Sequence, residues 1–218
     1  VKKKYFLLLI ISLFVLILLF SCEHAHKPRE QEYLNMGYQL SSEEVEKIQD
    51  GDIIMRQGYG IVSSIILETL KEDIPLSHIG IIVENSEGEY DVIHSVSRMI
   101  SDYDGIQIDN LKKFISHSRN NSVLITRYKN DDGSKASGRE ISNRAKYYLD
   151  KKVPFDHSFD FQDTTSFFCS ELVWRILIDK FDDDIYESYS KGSLRDRLKF
   201  EPFYDLNRFE IIVNHHNN

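Results

Sequence analysis

The sequence predicts an α+β domain with a mostly antiparallel sheet and helices packed on it. Three observations lead there. Two apolar runs, "HIGIIVE" at 78–84 and "YDVIHSV" at 90–96, flank a polar "NSEGE" and read as a hairpin. Segments near 61–70, 141–149 and 169–177 carry apolar residues at helical spacing. Further strand signals, "IIMRQ" from 53, "SVLITRY" at 122–128 and a last one near 209–213, are distributed among these helices.

The chain opens with Lys2, Lys3 and Lys4, then an almost wholly apolar run from Tyr5 to Phe20. A membrane span needs about 20 apolar residues, so this shorter run fits a signal-peptide core better. "LFSC", Leu19 to Cys22, resembles a bacterial lipobox, with Phe20 bulkier than usual at its position. That resemblance implies lipidation of Cys22, which becomes the mature N-terminus; an uncleaved N-terminal anchor is the alternative. Both place the protein in the bacterial cell envelope, on a membrane and outside the cytoplasm. The expected organisation is a lipoprotein signal peptide over 1–21, a polar tether over 22–41 and one domain over 42–218, with no internal repeat. "HAH" at 24–26 and "HH" at 215–216 read as solvated ends.

A chain of 218 residues can bury a real core. With 41% hydrophobic and 28% charged residues its composition is globular, and a net charge of −8 argues against nucleic-acid binding. Losing residues 1–21 removes three Lys and no acid, which takes the charge from −8 to −11. Charge would not draw such a domain to anionic lipid, so a lipid anchor must do so. The chain has two cysteines. If Cys22 carries lipid, Cys169 has no disulfide partner and is a free thiol in an exported protein.

Element by element, Ser41, Ser42 and Glu44 suit the start of a short helix reaching about Gln49. "DGD" at 50–52 is a turn before the first strand, which Gly58 and Gly60 end. Ile61, Val62, Ile65, Ile66 and Leu70 give the next helix one apolar face, and Pro75 closes that unit. After the hairpin, Asp109 caps a short helix bearing Leu111, Phe114 and Ile115. Asp131–Gly138 is a loop, and Ile141, Ala145, Tyr148 and Leu149 mark an amphipathic helix. Residues 154–165 are irregular and aromatic. "SFFCSELVWRIL" follows, then an acidic loop from Asp182 to Ser190.

Cys169, Leu172, Val173, Ile176 and Leu177 share one helix face, with Cys169 in the first turn. A buried core thiol satisfies that pattern. So does a nucleophile, because unpaired N–H groups at a helix start favour a thiolate and can cradle an oxyanion. In the hairpin, alternation puts His78, Gly80, Ile82 and Glu84 on one face, and Tyr90, Val92 and His94 on one face of the return strand. A three-residue loop pairing Glu84 with Gly88 sets His78 opposite His94, their Cβ atoms about 4.5–5.5 Å apart. A loop two residues different leaves them diagonal and still close. Glu84 is about 20 Å along the strand from His78 and cannot easily share its imidazole. A thiol attacks as thiolate, an adjacent imidazole supplies the base, and a third polar group fixes that base.

"GDIIMR", "SHIGIIVE", "DVIHSV" and "FFCSELVW" resemble the YiiX/YebB-like branch of the NlpC/P60 papain-like superfamily. That branch is circularly permuted, its histidine strand preceding its cysteine helix, an order shared by the lecithin:retinol acyltransferase relatives. The resemblance covers about residues 50–180 and implies a permuted papain-like fold with the nucleophile at a helix N-terminus. It implies Cys169 as nucleophile and His78 as base. The third position, usually glutamate in the YiiX branch, falls on His94, as in the acyltransferase relatives. Asp52 in the "GD" turn, Ser77 and Ser170 are substrate-binding or supporting candidates, Asp52 also reading as a turn-stabilising residue. The aromatic "VPFDHSFDF" at 153–161 resembles the family's run before the cysteine and is placed to wall a cleft; His157 there is a weaker catalytic candidate.

The implied function is a membrane-anchored cysteine hydrolase acting on an amide or ester, without cofactor or metal. Its substrate would be a cell-wall peptide or an acyl-lipid amide or ester. Two other classes remain open: a zinc-binding hydrolase using His78, His94 and Cys169, and a catalytically inactive cell-envelope binding module on the same fold.

Overall fold

A computed structural model of the chain describes residues 37–129, 138–189 and 193–216. The basic start, the apolar run, Cys22, His24 and His26 lie outside these residues, as do most of the tether and of the 131–138 loop. Among the described residues no helix is long and apolar enough to cross a membrane.

The elements run α1 (Ser42–Val45), β1 (Ile53–Arg56), α2 (Gly60–Leu70), β2 (His78–Glu84) and β3 (Tyr90–Val96). Then come β4 (Gly105–Asn110), α3 (Leu111–Ser116), β5 (Leu124–Tyr128), α4 (Gly138–Asp150), α5 (Cys169–Phe181), α6 (Leu194–Arg197) and β6 (Phe209–Asn214). The strands form one open sheet in the order β4-β3-β2-β1-β5-β6, every pair antiparallel. This is the expected α+β architecture, with one added strand. Residues 105–110 pair with β3 as β4, where the sequence predicts no strand and makes Asp109 the cap of the following helix. Asn110 is the cap: its side chain accepts from Lys112 N–H at 2.9 Å. Asp109 stays in the strand, opposite Val92.

Strand alternation divides the core in two. Ile53, Met55, Ile79, Ile81 and Ile93 face α4 and α5, meeting Ala145, Leu172, Val173 and Ile176. Ile54, Ile82, Val92 and Ile125 face the other way, against Leu111, Phe114 and Ile115 of α3. Leu40 is buried on this second side with Tyr38 beside it, so residues expected in the tether pack onto the domain. His215 is buried as well. Its Nδ1 meets the Tyr38 phenol oxygen at 2.5 Å and its Nε2 meets Glu44 Oε1 at 2.7 Å, which ties His215 onto the domain beside α1 rather than leaving it solvated.

Helix α2 departs from its expected orientation. Ser63 and Leu70 are its buried residues, while Ile61 and Ile65 are 72% and 56% exposed. Ser63 Oγ bonds Gly58 O at 2.9 Å and Ser77 Oγ at 2.6 Å, and this polar anchor turns Ile61 and Ile65 outward.

Asp52 supports the fold. Arg127 on β5 grips it twice, Nε to Oδ1 at 2.7 Å and Nη2 to Oδ2 at 2.8 Å, and Gln49 N–H donates to Oδ2 at 2.8 Å. Asp52 precedes β1 and Arg56 ends it, so the pair lies about 13 Å along the strand from the histidine end of the sheet. Removing one member strands a buried charge. Asp52→Ala is expected to cost about 3–5 kcal/mol in urea unfolding, while Cys169 in the remaining folded molecules reacts with haloacetamides at the parental rate.

Candidate active site

The hairpin register decides where the histidines stand. Glu84 pairs with Tyr90, Val83 with Asp91 and Ile81 with Ile93, so the loop has five residues and not three. Asn85 holds it closed, its Oδ1 accepting from the N–H groups of Glu87 and Glu89, each at 3.0 Å. The shift moves His78 and His94 from direct opposition to a diagonal. They still meet: His78 Nε2 and His94 Nδ1 are 2.8 Å apart, the rings near-perpendicular with centroids at 5.0 Å. Gly80 makes room between them. A Cβ there would lie 2.6 Å from Val92 Cγ1 and 3.1 Å from His94 Cβ.

The sheet end that carries His78 also carries Arg56, its direct partner on β1, and the Val96–Gly105 end of β3 and β4. Helix α5 brings its N-terminus to this region. Ser95 Oγ, next to His94, donates to Phe167 O at 2.6 Å, two residues before Cys169. The Cys169 sulfur is half-buried and faces the backbone N–H groups of Ser170, of Ile79 next to His78, and of Cys169 itself. The structure thus brings Cys169, His78 and His94 to one region. Among the described residues the thiol makes no hydrogen bond to an imidazole; such bonds commonly tighten only when substrate binds.

The electrostatics correct one expectation. A helix start favours thiolate, yet burial outweighs the three N–H groups and Arg56 and pushes the Cys169 thiol up to about 11. His78 is held well below its ordinary value, first by burial, then by Arg56 and His94. Burial lowers His94 too, partly offset by Asp109. The resting pair is therefore neutral thiol and neutral imidazole, not a preformed ion pair. Glu171, two residues after the thiol, is fully buried, and burial pushes its carboxyl up to about 8 against the Phe168 N–H. Arg175 Nη2 lies 3.6 Å from its Oε1 and works against that rise.

Three residues at the site escaped the sequence reading. Asp109 Oδ2 lies 3.3 Å from His94 Nε2, and its Oδ1 lies 3.2 Å from Lys113 Nζ. Phe114 stacks on His78 at 5.6 Å and meets His94 edge-on at 5.2 Å. Arg56 sits 4.7 Å over the same ring, its Nη1 donating to His117 O at 2.6 Å and its Nε buried without a hydrogen-bond partner among the described residues. Arg56 lies directly opposite His78, but nothing in the sequence marked that strand end as the site. Phe114 shows only as an apolar helix residue.

The remaining candidates take supporting positions. Ser77 Oγ accepts from Gly58 N–H at 2.9 Å and meets Ser63, tying the start of α2 to the residue before His78. The Ser170 side chain is buried, and its backbone N–H faces the sulfur. His157 is 52% exposed and bonded to Asp104 at 3.0 Å. Its aromatic run does pack at the cysteine helix: Phe159 and Phe161 lie 5.3 and 5.2 Å from Phe168, the residue before Cys169. Trp174, off the main apolar stripe, packs on Phe161 at 5.4 Å and donates to Asp184 at 2.8 Å.

A zinc site does not fit this arrangement. The facing nitrogens of His78 and His94 point at each other at hydrogen-bond distance, whereas two metal ligands must both point at the ion. Among the described residues no group of three His, Cys, Asp or Glu is placed to hold a metal.

An antiparallel sheet whose histidine strand precedes the cysteine helix is a circularly permuted papain-like arrangement. The chain belongs to the permuted papain-like amidase family of the YaeF/YiiX type, which it matches over residues 47–193. A similar solved structure is that of the metalloprotein YiiX from Escherichia coli O157:H7, at 22% identity and a TM-score of 0.52. The match covers 77% of this chain and 89% of that one, and it supports the fold. No curated protein matches the chain.

A thiol held at about 11 should not plateau as a preformed thiolate does. Iodoacetamide alkylation of Cys169, followed by peptide mass spectrometry, is expected to keep accelerating beyond pH 9; a plateau from about pH 6 would contradict it.

Proposed function

We propose that this protein is a cysteine hydrolase cleaving an amide or ester through Cys169, with His78 as base and His94 orienting that base. The observation that carries this reading is the placement of the thiol among the N–H groups of Ile79 and Ser170, at the sheet end where His78 and His94 are paired. His94 occupies His78 Nε2, which leaves Nδ1 to take the thiol proton. The thiolate adds to the substrate carbonyl, and N–H groups at the start of α5 receive the oxyanion. His78 then protonates the departing amine or alcohol. Water, deprotonated by the same imidazole, releases the acyl group from sulfur.

Between the two substrate classes, the structure favours an acyl-lipid amide or ester over a cell-wall peptide. Helix α2 is fastened to Ser77, beside the base, and turns Ile61 and Ile65 into solvent. An acyl chain laid along them buries apolar surface on both partners, which a polar peptide stem does not. In this reading the "LFSC" cysteine, Cys22, carries the lipid that holds the domain on the outer side of a bacterial membrane. Incorporation of radiolabelled fatty acid into the parent protein but not Cys22→Ala checks that anchor.

Hydrolysis of acyl p-nitrophenyl esters and N-acyl amides of increasing chain length tests the activity. Cys169→Ala is expected to abolish turnover, and His78→Ala to lower kcat by about 10²–10⁴. kcat/KM is expected to rise with chain length, and Ile61→Ser with Ile65→Ser to flatten that rise. Faster cleavage of muropeptides than of any acyl substrate would overturn the lipid assignment. Because the base must be neutral and His78 is held well below 6.5, activity should fall only as pH drops through a value under 6.5.

A further inference from the structure

We propose that Asp109 is a positioning residue: through His94 it fixes which nitrogen of His78 is free to act as base. The inference rests on the Cys169–His78 reading above and extends it by one residue and one strand. Three groups stand in line across adjacent strands, Asp109 on β4, His94 on β3 and His78 on β2, joined at 3.3 and 2.8 Å.

The hydrogen bonds allow a single consistent arrangement. An ionised carboxylate only accepts, so His94 must carry its proton on Nε2 to bond Asp109. A neutral imidazole with Nε2–H has a lone pair on Nδ1. His94 Nδ1 therefore accepts, and His78 must donate to it from Nε2. His78 then has its own lone pair on Nδ1, the nitrogen left for the thiol. Had the outer group been a donor, the chain would run the other way: His94 would carry Nδ1–H, and His78 would carry Nδ1–H with no lone pair for the thiol proton. When His78 takes that proton, its Nε2–H continues to donate to His94, and Asp109 stays ionised; no second proton moves.

The surroundings show why a carboxylate is needed. His78 pairs with Arg56, and Lys113 lies beside Asp109. Both cations oppose an imidazolium at this end of the sheet. Asp109 is the one anion in contact with the histidine pair among the described residues. Burial works to raise its carboxyl, but the bond from His94 and the Lys113 charge hold it at about 2, so it remains an acceptor across any working pH. Neutral His94 alone orients the base without stabilising its charged form. Asp109 supplies the missing charge from one residue further out.

Imidazole ¹⁵N spectroscopy of the full chain tests this apart from catalysis. Parent protein is expected to show His94 and His78 both as Nε2–H tautomers. Asp109→Asn, whose neutral amide can donate or accept, and Asp109→Leu, which offers nothing, are expected to release the fixed order, giving Nδ1–H rings or a mixture of tautomers. The acylation rate by an acyl p-nitrophenyl ester should fall about 10- to 100-fold, less than the roughly 10²–10⁴ carried by the base itself. The acid limb of its pH profile should move down, since imidazolium loses its distant anion, and Asp109→Glu should restore part of the rate and the tautomers. Urea unfolding and the β2–β3 amide signals establish that each variant is folded. Unchanged tautomers in both Asp109→Asn and Asp109→Leu would overturn the proposal. An inert Cys169 in a parent protein that shows the expected tautomers would overturn the hydrolase reading and leave the hydrogen-bond order standing.

Discussion

The pairing of β2 with β3 is the constraint on which the site depends. Its register sets His78 and His94 on a diagonal, and Gly80 keeps that diagonal open. A slip of one residue would turn one histidine to the opposite face of the sheet, among Ile79, Ile81 and the helices. The apolar residues on both faces oppose such a slip, because Ile79, Ile81 and Ile93 fill one core and Ile82 and Val92 the other. Burying both faces therefore fixes the chemistry as well as the sheet. The same pairing places Ser95 where it can hold Phe167, and so sets the entry to the cysteine helix.

A second consequence is the neutral character of the resting site. The groups that would favour thiolate, the helix N–H groups and Arg56, are present but are outweighed by burial. Arg56 also disfavours a charged His78. A substrate carbonyl offers the developing charge a place on oxygen, at N–H groups already pointing at the sulfur. On this account charge appears only with substrate in place, which restrains the thiol from reacting with small oxidants or electrophiles.

Much of the architecture was legible in the sequence because its strands are strongly patterned. β2 and β3 fall at 78–84 and 90–96, as their apolar runs indicate, and α5 begins at Cys169. β4 was not legible: "GIQIDN" has two apolar side chains and an Asp-Asn pair, which reads as a helix approach, and only its pairing with β3 makes it a strand. Losing β4 also lost Asp109, since a carboxylate before a helix is ordinarily a cap. The hairpin loop length failed by two residues because Asn85 closes a five-residue loop with its own side chain. Helix α2 misled through composition, its many apolar residues concealing that a serine anchors it. The conjunction of one helix-start cysteine with two histidines able to face each other survived these errors, because a diagonal pair is nearly as close as an opposed one.

The central claim is that Cys169 becomes acylated. Intact-mass and peptide mass spectrometry after exposure of the full chain to envelope lipid extract, quenched in acid, tests it most directly. The account predicts a fatty-acyl mass increment on the peptide containing Cys169, absent in Cys169→Ala and cleared by hydroxylamine. Turnover of acyl substrates by Cys169→Ala, or an acyl group carried at another residue, would contradict it.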